Sequence, residues 1–290
     1  MNDLYLINFT NGVYDLNNGT FNEIVNPNHH ISTGYDYVPY DENTMISQEI
    51  DEFMGKIFSN IEVREYFLSV VASCLIGVHN TQSFYILLGS ESSGKSTLTN
   101  LINETFGGYS RSLNSSIICS RREDYSNPND LERYKYVVFK DIRIGIFNEL
   151  NSISDKINSG VLKGLIAGER LPYRALYGND EYIEPRLKIL FIMNELSGID
   201  MTNTGLVRRM NIIPLLNKFV HKKDANVNKL PENHFIIDDS LPEKIKKWKQ
   251  TFMGKIINYY HRYTKSGYKK IPDFIVNYTE SLIKKRTLSL

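Results

Sequence analysis

Short apolar and alternating runs near the start of the chain predict a small β element. Leu4–Ile7 and Gly12–Leu16 have the length and residue types of short strands. The sequence Asn17-Asn18-Gly19 is a turn signal between Leu16 and Phe21. We therefore expect residues 1–40 to contain a compact set of antiparallel strands.

Helical spacing of the apolar residues begins after this element. Residues 45–58 and 61–76 both repeat apolar side chains at intervals typical of one helix face. In the second stretch, one face carries Val63, Phe67, Val70, Val71 and Cys74. Asn60 precedes that stretch and is a good N-cap residue, because its side-chain oxygen can accept hydrogen bonds from the first free backbone N–H groups.

The remaining pattern divides into an α/β part and a helical end. Residues 80–216 alternate strand-like and helical stretches, which predicts an α/β fold. Residues 217–239 are polar and contain Pro and Asn, and are interpreted as a linker. Ser240-Leu241-Pro242-Glu243 is a capping box that predicts a helix to about residue 262, and a last helix is expected near Asp273. The predicted divisions are 1–79, 80–216 and 217–290.

Composition excludes several classes of protein. Lys and Arg total 34 against 33 Asp and Glu, a net charge of +1, so a nucleic-acid site would have to be a local patch. Two cysteines and no ligand-like histidine spacing argue against a disulfide scaffold or a zinc site. No apolar run approaches the roughly 18 residues of a membrane span, and the N-terminus lacks a signal-peptide pattern.

A phosphate-binding motif follows the first strand of the α/β part. The run from Phe84 to Thr97 reads as a buried strand, a glycine loop and a helix start, and it contains the pattern G-x-x-x-x-G-K-[ST]. Glycines let the backbone curl so that its N–H groups face a phosphate, and the helix adds its positive end. The candidate nucleotide-binding residues are Gly89, Ser92, Ser93, Gly94, Lys95, Ser96 and Thr97. The lysine can reach the β- and γ-phosphates and the Ser96 hydroxyl can bind Mg²⁺.

Two later segments compete for the acidic residue that such a site needs. Residues 136–141 end in Asp141, and residues 144–149 end in Asn148-Glu149. Glu149 is preferred, because a glutamate at a strand tip can activate water, whereas Asp141 has the setting of a turn residue. Asp238-Asp239 could also suggest a metal-binding pair, but the capping box after it favours a helix entry.

Four further features follow in order behind the phosphate loop. A helix from Asp155 to Ala167 carries Lys163. Residues 170–184 predict a β-hairpin with a Gly-Asn-Asp tip. A strand ending at Asn194 offers a polar group that can sense the γ-phosphate. Finally, Arg208 and Arg209 precede a short strand, where an arginine can reach the nucleotide of a neighbouring subunit.

Taken in this order, these motifs resemble superfamily 3 helicases. The segments "LKGLIAGERLPYRALY", "KILFIMN" and "GLVRRMNIIPL" behind the phosphate loop are most similar to the primase–helicase branch of poxviruses, other large DNA viruses, phages and plasmids. The opening segment "INFTNGVYDLNNGTF…HHISTGYDY" resembles the leader before the helicase in that branch, so the resemblance covers about residues 4–285.

The resemblance implies a fold and an activity. The fold is α/β, with an AAA+ P-loop NTPase core, a small N-terminal β element with a helical collar, and a C-terminal helical segment. The activity is ATP-dependent, Mg²⁺-requiring replicative DNA unwinding by a homo-hexameric ring on single-stranded or forked DNA, with no membrane association. A primase domain or primase partner and a cytoplasmic location, in the host cytoplasm or at a viral replication site, are also implied.

It also assigns roles to residues of the nucleotide site. Lys95 and Ser96 match the phosphate- and Mg²⁺-binding pair, Glu149 matches the acidic residue of the second motif, and Asn194 matches the polar sensor. Asn148 stands where many relatives have Asp, and it joins Ser96 and Glu149 in the expected Mg²⁺ set.

Four more residues are assigned to DNA binding or to catalysis in a neighbouring subunit. Arg209 matches the arginine finger, with Arg208 beside it, and Lys163 matches the lysine of the LK-x-L-x-x-G helix. The hairpin around Arg174 and Tyr177 matches the loop that grips DNA in the central channel, and these two residues are better candidates for the contact than the Gly-Asn-Asp tip.

Two other functions stay open on the sequence. One is an AAA+ ATPase that remodels protein or packages DNA without unwinding. The other is an initiator or assembly protein that binds ATP and hydrolyses it poorly, which Asn148 makes conceivable.

Overall fold

The structure is a computed structural model that describes residues 3–24, 31–79, 81–120, 136–148, 156–174, 180–224, 230–266 and 270–287. The strands in this part of the chain are β1 Leu6–Phe9, β2 Gly12–Asp15, β3 Thr20–Asn22, β4 Phe84–Leu88, β5 Ser110–Leu113, β6 Cys119–Ser120, β7 Ile144–Phe147, β8 Lys156–Ile157, β9 Leu171–Arg174, β10 Asp180–Ile183, β11 Lys188–Met193, β12 Met210–Pro214, β13 Lys218–Val220 and β14 His234–Ile236. The α-helices are α1 Met45–Ile57, α2 Ile61–Ser73, α3 Lys95–Phe106, α4 Ser159–Ala167, α5 Thr204–Val207, α6 Leu241–Ser266 and α7 Asp273–Thr287.

A five-stranded parallel sheet lies at the centre, in the order β12-β4-β11-β7-β5. All five residues of β4 are buried, as expected for a parallel strand that is covered on both faces. Alternate side chains of β4 enter two different hydrophobic cores, with Tyr85 and Leu87 on one face and Phe84 and Ile86 on the other. The predicted α/β class is confirmed.

Each face of the sheet is covered by a different set of helices. The first core contains buried residues of α1, α2, α3 and α6 together with the β1–β3 element. The second contains α4, with α7 packed against its edge. The Ile212 N–H group of the edge strand β12 donates to Thr279 Oγ1 of α7, which covers that edge of the sheet.

The predicted N-terminal elements are confirmed. β1, β2 and β3 form an antiparallel sheet, and the Asp15 side chain accepts hydrogen bonds from the backbone of the Asn17-Asn18-Gly19 turn. Helices α1 and α2 lie where the apolar spacing predicts them. Asn60 caps α2 by accepting hydrogen bonds from the N–H groups of Glu62 and Val63.

The C-terminal helices also form, and the longer one packs on the first core. α6 extends to Ser266, beyond the expected end, and α7 begins at Asp273 as predicted. The Trp248 Nε1–H of α6 donates to Glu49 of α1 at 2.8 Å. Tyr259 and Tyr263 both donate to Glu65 of α2. These contacts join the N-terminal and C-terminal helices around one side of the sheet.

Two sequence-based expectations were wrong. Residues 217–239 are not a plain linker, because β13 and β14 pair in parallel within them. The helix that carries Lys163 begins at Ser159 and not at Asp155, because Lys156–Ile157 pairs with β6 and Asn158 then caps the helix. Both differences come from strand pairing across many residues, which local spacing does not reveal.

Candidate nucleotide-binding site

The glycine loop between β4 and α3 has the backbone geometry that its sequence predicts. Gly94 has a φ of +86°, in the left-handed region that favours glycine. A Cβ at Gly94 would lie 2.4 Å from Ile57 Cδ1, and a Cβ at Gly89 would lie 2.7 Å from the Leu215 carbonyl oxygen. Both glycines are therefore required by close approach, and α3 begins directly after the loop at Lys95.

The Lys95 ammonium group lies inside this loop. It donates to the Gly89 carbonyl at 2.5 Å, to the Ser90 carbonyl at 2.7 Å and to Ser93 Oγ at 3.1 Å. The side chain is buried. A positive charge is thus held at the N-terminal end of α3, where backbone N–H groups and the helix dipole also favour an anion.

A cleft of about 480 Å³ opens beside the loop. Its polar side consists of the loop and the start of α3, including Ser92, Ser93, Ser96 and Thr97. Its other side is mainly apolar and comes from α1, from β13 and from the entry of α6. The residues on that side are Phe53, Ile57, Phe219, Ile237, Asp238 and Leu241.

Two polar residues enter the cleft from neighbouring strands. Asn194 follows β11, and Asn148 follows β7. The parallel register brings both strand ends to the same edge as the loop, and the Gly89 N–H donates to the Met193 carbonyl. The structure therefore brings Asn148 and Asn194 together with Lys95. Glu149 lies outside the described residues.

The competing acidic residue, Asp141, lies elsewhere. It precedes β7, so it is at the amino edge of the sheet, whereas the glycine loop is at the carboxyl edge. Its φ is +64°, which marks a turn position. Tyr136–Phe139, before it, forms a 3-10 helix and no strand.

Asp238 lines the cleft but is engaged in the entry of α6. Its carboxylate accepts hydrogen bonds from the Ser240 N–H at 2.9 Å and from Lys244 Nζ at 2.8 Å. The bonds from Lys244 and Ser240 lower the pKa of Asp238 to about 2. The helix-entry interpretation of this segment is confirmed, and the described residues contain no group of three or more His, Cys, Asp or Glu side chains suited to a metal.

The chemistry of the described donors is compatible with Mg²⁺. Ser96 supplies a hydroxyl and Asn148 an amide oxygen at the open part of the cleft. Magnesium is bound by hard oxygen ligands and usually keeps several waters, so two such side chains beside a phosphate site fit it.

Arg209 lies at the amino edge of the sheet, away from the cleft. Its guanidinium donates to the Gly205 carbonyl at 2.6 Å and to Gln82 Oε1 at 2.8 Å. β4 separates this position from the loop by five residues, or about 17 Å of strand. Lys163 Nζ lies beside the same Gly205, and Arg208 is exposed.

The hairpin expected to contact DNA is confirmed as an antiparallel pair. β9 and β10 pair with Arg174 opposite Asp180. Residues 175–179, with Tyr177, lie outside the described part, and only the backbone of Arg174 is described. The base of the hairpin carries an exposed ion pair between Arg170 and Glu184 at 2.7 Å.

Sequence reasoning missed the apolar side of the cleft. Phe219 belongs to the supposed linker, and its N–H group donates to the Ser92 carbonyl at 2.7 Å. Ile57 belongs to α1, well before the glycine loop in sequence. The local hint is two short apolar runs in an otherwise polar segment, Phe219-Val220 and Phe235-Ile236-Ile237.

Comparison with known proteins gives matches among viral proteins. Residues 2–59 match a family model described as "D5 N terminal like". A protein of Acanthamoeba polyphaga mimivirus named "Putative helicase" is 36% identical over 91% of this chain. Primase D5 of fowlpox virus is 24% identical over 92% of the chain. The chain spans 27% and 35% of the length of these two relatives.

The fold also has a counterpart among solved structures. The apo structure of the NrS-1 C-terminal region has a TM-score of 0.57 and 14% identity, over 85% of this chain and 53% of that one. This likeness shows a shared fold. The viral relatives, with the D5 N terminal like match, confirm the resemblance to the viral primase–helicase branch that the motifs indicate. Within the described residues, no helix has the length and apolarity needed to cross a membrane.

Proposed function

We propose that this chain is the motor part of a superfamily 3 DNA helicase, which hydrolyses ATP with Mg²⁺ and moves on single-stranded DNA as a hexameric ring. The observation that carries the proposal is the convergence of Lys95, Asn148 and Asn194 on one cleft at the carboxyl edge of a parallel sheet. Helicase and primase names among the viral relatives support it.

The phosphate chain of ATP binds in the glycine loop. Lys95 exchanges its contacts with the loop carbonyls for the β- and γ-phosphate oxygens, and the N–H groups at the start of α3 face the same oxygens. Ser96 and Asn148, with Glu149 beyond the described residues, would hold Mg²⁺. When bound, this ion neutralises charge on the phosphate oxygens.

The remaining groups act on the reaction itself. Glu149 orients and deprotonates the attacking water. Asn194, beside the loop, contacts the γ-phosphate and reports its loss. Arg209 stabilises the developing phosphate charge in the cleft of the neighbouring subunit, since its own cleft lies at the other end of β4.

DNA binding is assigned to the inner surface of the ring. Lys163, Arg174 and Tyr177 contact the sugar–phosphate backbone or stack on a base of the single strand. A primase domain or partner acts with the motor; the name of one viral relative, primase D5, supports this part of the proposal. The site of action is the host cytoplasm or a viral replication site.

One residue favours a second candidate function. Asn148 lacks the charge of an aspartate, and an amide holds Mg²⁺ less strongly than a carboxylate. An ATP-gated initiator or assembly protein with weak hydrolysis would suit this residue. A remodelling or packaging ATPase would share Lys95 and Arg209 but would not need the hairpin.

The test measures ATP turnover with and without single-stranded DNA, unwinding of a forked duplex, and native mass with ATP. We expect DNA-stimulated turnover, strand separation and a hexamer for the wild type, and loss of turnover and strand separation in Lys95→Ala. DNA-independent turnover without unwinding would contradict the proposal in favour of remodelling or packaging. Ring assembly with negligible turnover in excess ATP would contradict it in favour of the initiator.

A further inference from the structure

The cleft beside the glycine loop is larger than a phosphate chain needs, and its outer part is apolar. Phe219 of β13, Ile237 after β14 and Leu241 at the start of α6 are all partly exposed there. Phe53 and Ile57 of α1 are buried directly behind them. We call these five side chains the apolar wall.

We infer that the apolar wall binds the base of the nucleotide, with Phe219 as its principal contact. The inference rests on the proposed nucleotide site and adds the part of that site that recognises the nucleoside. It also makes α1, inside the region that matches the D5 N terminal like family, a structural part of the nucleotide site.

The position of the wall relative to the loop supports this inference. The Phe219 N–H group donates to the Ser92 carbonyl at 2.7 Å, so β13 is tied to the loop itself. A Cβ built on Gly94 would lie 3.1 Å from the Phe219 ring and 2.4 Å from Ile57. A ligand whose phosphates occupy the loop therefore extends its other end along Phe219.

The orientation of Phe219 is fixed by its neighbours. Its ring centroid lies 5.8 Å from that of Phe235 at an interplanar angle of 34°, and β13 and β14 hold the two residues in register. A fixed, half-buried aromatic ring is a suitable surface for a flat base, because every base has a π-face that can stack on it.

The size and composition of the cleft fit such a ligand. Its volume of about 480 Å³ lies within the range of small-molecule sites, which are mostly apolar with a few placed polar groups. Here the hydroxyls and the ammonium group stand on one side and the apolar wall on the other. This separation matches a nucleotide, which carries its charge at one end and its aromatic surface at the other.

The experiment compares ATP with inorganic tripolyphosphate, which keeps the phosphate chain and lacks the base. Dissociation constants of both are measured with Mg²⁺ by competition calorimetry for the wild type, Phe219→Ala, Phe219→Tyr and Lys95→Ala. We expect Phe219→Ala to weaken ATP about ten-fold or more, in line with stacking energies, and to leave tripolyphosphate unchanged. Phe219→Tyr keeps the ring and should stay near the wild type.

The two proposals fail in different ways. Wild-type protein that binds neither ligand, or Lys95→Ala that binds both normally, would overturn the nucleotide site itself. If the wild type binds both ligands and Phe219→Ala changes neither affinity, or weakens both equally, only the role of the apolar wall is overturned. An unchanged tripolyphosphate affinity also shows that the variant is folded. Should Phe219→Ala not fold, the same comparison of ATP with tripolyphosphate affinity in Leu241→Ala decides between these outcomes.

Discussion

The two edges of the central sheet differ in what they offer a nucleotide. At the carboxyl edge, three successive strand ends and the glycine loop converge on one cleft that contains Lys95. At the amino edge, Arg209 is fixed by hydrogen bonds to Gly205 and Gln82 but faces away from that cleft. Under the proposed function, this difference means that Arg209 would complete the site of a neighbouring copy and not that of its own chain.

The amino edge is also distinguished by buried cations that hold the N-terminal segment. Lys188, the first residue of β11, donates to the carbonyls of Ile76 and Val78, and Arg143 donates to the Leu4 carbonyl at 2.7 Å. These bonds stabilise the junction between α2 and the sheet. Buried positive charge thus lies within the glycine loop at one edge and holds the N-terminal segment at the other.

The strongest way to break the carboxyl edge is Lys95→Ala. The phosphate loop then loses the cation that its backbone carbonyls and Ser93 hold in place, so we expect ATP turnover to be abolished. Steady-state phosphate release measures this. Lys140→Ala, an exposed lysine at the amino edge, is the matched control and should keep its turnover. Equal losses in both variants would mean that the cleft is not the catalytic site.

Glu149→Gln should stop hydrolysis and leave ATP binding intact, because an amide cannot deprotonate water. Asp141→Asn is its counterpart at the other edge and should have little effect, since Asp141 occupies a turn before β7. Turnover and equilibrium ATP binding are measured together. Near-normal turnover in Glu149→Gln with a loss in Asp141→Asn would reverse the assignment of the acidic residue.

Arg209→Ala tests the amino edge. We expect normal ATP binding with hydrolysis reduced on the order of 10³–10⁵-fold, the range that an arginine finger contributes. Arg208→Ala should cost much less, because the Arg208 side chain is exposed to solvent. Comparable losses in the two variants would show that this segment acts through its fold and not through one guanidinium.

The smallest expected effect concerns stability and pH. Burial lowers the pKa of Lys188 from 10.5 to about 8, so between pH 8 and 10.5 the unfolded chain binds more protons at this residue and stability rises with pH. Burial raises the pKa of Cys74 to about 11, which opposes the rise above pH 9. Chemical denaturation from pH 8 to 9 should therefore show a gain of up to about 1 kcal/mol.

Lys188→Met should lose this gain, because it removes the titrating amine. Lys140→Ala, which removes an exposed lysine, is the control and should keep the gain. A Lys188→Met profile parallel to that of the wild type would show that Lys188 is not the group responsible.

Local chemistry allowed most of the carboxyl edge to be predicted. Glycines in close contact, a lysine after them and polar residues at strand ends all have sequence patterns that reflect their geometry, as Gly94 and Asn194 illustrate. Asn60 and Asp273 were likewise placed by helix-end rules. These features depend on a few neighbouring residues.

Features that depend on distant pairing were not predicted. Three-residue strands such as β13 and β14 have no periodicity of their own and form because Phe219 and Phe235 meet across a long connection. Lys156–Ile157 fits the sequence pattern of a helix start, and only its pairing with β6 shows it to be a strand. The apolar wall was missed for the same reason, since its side chains come from segments far apart in the sequence.

Mixing the two inactive variants, Lys95→Ala and Arg209→Ala, tests most directly whether one site is built from two copies. In a mixed assembly, an intact glycine loop of one subunit can meet an intact arginine of another, so we predict that turnover is partly restored with ATP and DNA present. If one variant carries a mass tag, native mass spectrometry shows whether rings contain both variants. Mixed rings without recovered turnover, or a protein that stays monomeric with ATP and DNA, would contradict a site shared between subunits.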